Sequence, residues 1–173
     1  MGRETVPMRK ITELCSSLQL ERDTISMRAE CLISCYHDVM WAKNSSILTA
    51  RSANWNAAAA LQFIAGFDPY RDIRSIHKAM LSQFQAKWLK ELVGAALTHV
   101  ESYPMILSDH REILNNTFSD MPMKDQDYQD KNNLGRTAFR NRKNEAVLLF
   151  GVALWGVVIP ARLALGNLPD RTA

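Results

Sequence analysis

The sequence predicts an all-α protein, with a helical N-terminal domain followed by one C-terminal transmembrane helix. Glycine and proline are sparse, seven and six in 173 residues, and fall mostly where segments end, as long helices with short connections require. Apolar residues recur at spacings of three and four along most of the chain, and no strand alternation survives. From Ala146 to Ala161 there are sixteen residues without a charge.

Taken in order, Pro7 just after Thr5 and Val6 suits the first turn of a helix running to about Leu20, with Ile11, Leu14, Cys15 and Leu18 on one stripe. A second helix starts near Thr24 and keeps its period through Ile25, Ala29, Leu32, Ile33, Tyr36, Val39 and Met40 to Trp41. Asn44-Ser45-Ser46 offers a turn and an N-cap for a helix from Ile47 to Phe67, through the strong helix formers Ala57 to Ala60. Gly66 and Asp68-Pro69 end it. Tyr70 to about Tyr103 has the clearest stripe, Ile73, Ile76, Met80, Phe84, Trp88, Leu92, Ala95, His99 and Val100, and predicts a single long helix with Arg74, Lys78, Gln85, Lys90 and Glu101 opposite. Pro104 breaks it, and Ser108 can cap a short helix from Asp109 to Phe118. Ser119 to Gly135 is rich in Asp, Asn, Gln and Lys and reads as an exposed polar connector. It divides a helical soluble domain, residues 1–118, from residues 136–173, which hold a basic flank, a membrane helix at about 146–165 and a short tail.

Beyond Ala161, Arg162 is followed by Leu163, Ala164 and Leu165. A bilayer core about 30 Å thick needs about 20 helical residues, and Arg162 near the end can snorkel to the headgroups. Gly151, Gly156 and Pro160 within one helix are costly in water but common in membrane helices, where they allow close packing on neighbours. Trp155 then faces lipid or a neighbouring subunit. Arg136, Arg140, Arg142 and Lys143 precede the segment, so the positive-inside rule puts the N-terminal domain on the cytoplasmic or matrix side. The same length also suits the central helix of a soluble bundle.

Phe139-Arg140-Asn141-Arg142-Lys143, then Phe150-Gly151-Val152-Ala153 and Arg162, resembles the end of the small single-pass subunits of mitochondrial cytochrome c oxidase, subunit VIIc above all. Those subunits have a basic matrix-side approach, a membrane helix containing Phe-Gly-x-Ala, and a following arginine. The resemblance leaves residues 1–118 without a counterpart. It implies a non-catalytic accessory subunit of the mitochondrial inner membrane, without redox centres of its own, whose partners are neighbouring subunits and the lipid bilayer. A cytoplasmic, soluble all-helical binding or regulatory protein is the other expectation.

Other classes are disfavoured by composition. The net charge of +3 comes from basic residues scattered among acidic ones, not from the basic face that nucleic acid needs. Residues 1–10 lack the apolar run of a secretory signal, and Val6 stands where myristoylation wants Ser or Thr. Cys15, Cys31 and Cys35 lack disulfide or zinc spacing and read as small buried hydrophobes. His37, His77, His99 and His110 form no ligand pattern and read as satisfied structural histidines, with a haem site built from His99 and His110 through tertiary contacts as the alternative. Asp109-His110-Arg111-Glu112 reads as acidic residues near a helix N-terminus with solvated neighbours. Trp41, Trp55 and Trp88 read as core or interface residues. No catalytic motif, cofactor site or metal site is found.

Overall fold

The structure, a computed structural model, describes residues 2–42 and 55–166, and every regular element among them is helical. The helices are α1 Val6–Ser17, α2 Arg22–Ala42, α3 Ala57–Gly66, α4 Ile73–Gln83, α5 Ala86–Val100, α6 Ser108–Thr117, α7 Asp125–Lys131 and α8 Arg136–Ala153. A π-helical turn at Leu154–Val158 joins α8 to α9, Ile159–Gly166.

The first helix follows from its sequence. The Thr5 hydroxyl accepts from the Met8 N–H at 3.1 Å and caps α1, with Pro7 in the first turn. At the other end Gln19 takes a left-handed φ of 57°, and the Leu20 N–H closes on the Cys15 carbonyl at 2.9 Å. The turn expected at Asn44-Ser45-Ser46 lies outside the described residues. In α3 the cap is Asn56, whose side chain accepts from the N–H groups of Ala58 and Ala59.

Two expectations are corrected. The single helix expected over Tyr70 to Tyr103 is α4 and α5, because Phe84 and Gln85 are extended. Tertiary packing overrides the periodicity: α4 lies on α2 while α5 lies on α8 and the π-turn, and one straight rod cannot follow both. The break is compensated, since Phe84 is buried against Phe63 and Trp88 and the Trp55 indole N–H donates to the Gln83 carbonyl at 2.8 Å. The polar connector over Ser119 to Gly135 contains α7. Asp125 and Asp127 favour its N-terminal end, and Tyr128, 5% exposed, packs its ring at a tilt against Phe139.

The helix formed by α8, the π-turn and α9 spans 31 residues and is long and apolar enough to cross a membrane; 61% of its most apolar 18-residue window is buried within the protein. Helices α1, α2, α5 and α6 pack along α8, and α3 covers part of α9. Residues 145–155 are consecutively buried. The helix expected to stand apart therefore shares one core with residues 1–118, including Ile11, Leu32, Leu92 and Ile113. Phe150, Leu148, Leu149 and Leu154 are fully covered, each contributing about 1.5–3 kcal/mol by burial. Past Gly156 the cover thins, and Pro160, Ala161, Ala164 and Leu165 are exposed.

Candidate functional site

Glu145 is the last charged residue before the uncharged run, and it is completely buried. A buried carboxylate is costly unless hydrogen-bonded and paired. Here it receives hydrogen bonds from three side chains on three helices or their caps. The Thr5 hydroxyl donates to Oε1, so the cap of α1 is tied to α8. His110 of α6, equally buried, lies with Nε2 2.7 Å from Oε2. Arg142, one turn back on α8, donates to both oxygens at 3.0 and 2.7 Å, and its Nε lies 3.8 Å from the Asp109 carboxylate.

The protonation pattern follows from these contacts. His110 Nδ1 accepts the Leu107 backbone N–H at 3.1 Å, so Nε2 carries the hydrogen and donates to Glu145. That same bond occupies the start of α6, where Ser108 was expected to serve as cap. Burial pushes the Glu145 carboxyl upward, but hydrogen bonds from Thr5, His110 and Arg142, with the arginine's charge, outweigh burial and hold it below the ordinary range.

A Thr, His and Glu in contact invite comparison with a nucleophile triad, but their order is wrong for one. The threonine hydroxyl is bonded to the carboxylate and not to the imidazole, so the histidine base of such a triad does not face it. The cluster is better described as a clamp that fixes α1 and α6 on the central helix. His110 is thus a satisfied structural histidine, and it departs only from the solvated setting expected of residues 109–112, where Arg111 pairs with Glu101 and Glu112 is exposed.

The other histidines have partners within the fold: His37 bonds the Thr117 carbonyl at 2.9 Å, His77 the Ser34 hydroxyl at 2.8 Å, and His99 packs edge-on to Tyr103. Among the described residues no group of three or more His, Cys, Asp or Glu could hold a metal ion. The three cysteines are free and buried; burial, followed by the charge of Asp38, pushes the Cys35 thiol up to about 12, and burial raises Cys15 and Cys31 as well. They remain thiols at neutral pH and are poor nucleophiles. Native protein is expected to react with a thiol-specific reagent only slowly, and to release all three equivalents on addition of denaturant.

Of the residues expected to pack a membrane helix on its neighbours, Gly151, Gly156 and Trp155 make contacts inside this chain, and Pro160 is exposed. A Cβ at Gly151 would lie 2.7 Å from Ile25 Cγ2 and 3.3 Å from the Ile25 carbonyl oxygen, so the absence of a side chain lets α2 approach. At Gly156 a Cβ would meet Leu20 and Leu18 at 3.0 and 3.1 Å. The Trp155 indole N–H donates to the Ile64 carbonyl at 2.8 Å, and its ring packs on Phe67. Pro160 lacks the N–H to continue the helix, and its ring would press on the Gly156 carbonyl. The π-turn just before it, where the Ile159 N–H reaches back to Leu154, widens the helix there. Gly151→Ala is expected to destabilise the fold by about 1–3 kcal/mol through overpacking against α2, measured by urea denaturation.

The sequence matches no protein family, no curated protein and no solved structure.

The basic flank divides. Arg142 turns inward to Glu145, and Lys143 bonds Asp125 of α7 at 2.7 Å. Arg136 and Arg140 are exposed and form no ion pair with any described residue. Arg162 is half-buried near the far end of the helix. Sequence reasoning missed Thr5 and Glu145. The signal available for Glu145 was an acidic residue abutting sixteen uncharged ones, a position that demands a partner once the run is buried.

Proposed function

We propose that the protein is a non-catalytic helical binding protein, with residues 136–166 as the core helix of its bundle and its interactions made by exposed helix faces. The observation that supports this is the unbroken burial of residues 145–155 by helices of the same chain. The cover includes side-chain partners on α1 and α6 for a carboxylate at the head of the apolar run.

That helix is long and apolar enough to cross a membrane. Lipid would reach residues 145–155 only if α1, α2, α5 and α6 left them, which would expose the apolar faces of those helices to water. The accessory-subunit reading, with the mitochondrial inner membrane and neighbouring subunits as its setting, draws its support from hydropathy and from the oxidase resemblance of residues 139–162. Carbonate extraction of membranes from cells making the full chain, followed by native electrophoresis, separates the two. A small species in the supernatant is the expected result. Retention in the pellet, followed by migration in a large assembly, would overturn the core-helix reading in favour of the subunit.

A further inference from the structure

The face of α8 opposite the clamp meets α7 along a groove of about 440 Å³. Arg136, Arg140 and Lys143 fall along one stripe of α8 at intervals of four and three, with Phe139 between them at the floor. The acidic helix α7, with the sequence Asp-Gln-Asp-Tyr-Gln-Asp-Lys, forms the other wall and contributes Asp125, Gln126 and Gln129. Lys143 is engaged by Asp125 at 2.7 Å and lies over the Phe139 ring at 5.9 Å. The two guanidiniums, of Arg136 and Arg140, form no ion pair with a described residue.

We infer that this groove binds an acidic peptide segment of a partner protein, whose carboxylates meet Arg136 and Arg140 as Asp125 meets Lys143. The intramolecular contact is the argument for the occupant: one third of the basic stripe already holds a carboxylate delivered by an acidic helix. Guanidinium groups donate paired hydrogen bonds to carboxylates and suit these two positions better than a lysine would. Gln126, Gln129 and Asn144 along the groove can bond the backbone of an added segment. The face is solvated and its charges are screened by salt, so binding is of the fast, salt-sensitive kind.

This inference deepens the binding-protein reading and rests on it. The probe is a fluorescein-labelled oligoglutamate peptide, followed by anisotropy with the full-length protein at about 50 mM and about 300 mM salt. Saturable binding that weakens at the higher salt is expected, and Arg136→Glu/Arg140→Glu should reduce affinity by about tenfold or more. Arg74→Glu/Lys78→Glu, which changes net charge equally on exposed α4 positions, should change it by less than about twofold. Equal weakening by both pairs, absence of binding, or tighter competition by inorganic phosphate than by free glutamate would each overturn the inference. Should the full chain require detergent to remain in solution, the binding-protein reading itself fails. A soluble protein that ignores the peptide removes this inference alone.

Discussion

A chain ending at Gly135 is expected to lose its fold. Such a protein keeps every residue of α1 to α7 but none of the central helix, whose Phe150, Leu148, Leu149 and Leu154 are fully buried among the helices that remain. Truncating one such side chain to alanine costs about 2–5 kcal/mol, whereas a whole domain is stable by only about 5–15 kcal/mol. Loss of four such residues, together with Trp155 and the Glu145 clamp, exceeds that reserve. Far-UV circular dichroism should show most helical signal gone, and ANS should bind surfaces that are closed in the full chain. If residues 1–135 instead stay helical, soluble and cooperative in urea, the core belongs to residues 1–118 alone, and the appended-helix organisation is right.

The fold class was legible because helical periodicity survives wherever one face of a helix is buried. The stripe through Ile11 and Cys15, and that through Ile25, Ala29, Leu32, Tyr36 and Val39, are buried core positions in the structure. What periodicity cannot register is direction in space. It continues smoothly through Phe84, although the chain turns there to follow α2 with one helix and α8 with the next. A short polar helix with one buried aromatic, Tyr128, gives almost no periodic signal either. Hydropathy measured the central helix correctly, but a helix surrounded by protein and a helix surrounded by lipid present the same apolar requirement. Its glycines illustrate this: Gly151 is needed for close helix contact, as expected of a membrane helix, yet the contact is with Ile25 of the same chain.

The clamp was illegible for a different reason. Thr5 and Glu145 lie 140 residues apart, and nothing local to either announces the other. Each looks ordinary alone: a threonine cap and a glutamate at the end of a charged flank. Only burial of Glu145 makes the partners necessary, and that burial depends on helices packed around it. His110 was read with its charged neighbours as exposed, although one turn of helix is enough to send it inward while Arg111 and Glu112 point outward.

Removing the Glu145 side chain should therefore be among the costliest single changes. In Glu145→Ala, buried His110 and half-buried Arg142 lose their common acceptor, and breaking a buried pair from one side costs about 3–5 kcal/mol, less the part that solvent and Asp109 restore to Arg142. Glu145→Gln keeps the shape but offers one acceptor oxygen and places an amide donor toward groups that also donate, for about 1–3 kcal/mol. The pH dependence separates charge from shape. The folded carboxyl is held below its ordinary value, so the unfolded chain takes up this proton more readily than the folded one. Its contribution is complete above the unfolded pKa of about 4.3 and is lost as pH falls through the lower folded value. Urea midpoints measured from pH 7 down to about pH 3 should fall for the natural protein and fall less for Glu145→Gln, so that the two curves converge in acid. Parallel curves would mean that Glu145 carries no net charge stabilisation, leaving its three partners to act through hydrogen bonding and packing alone.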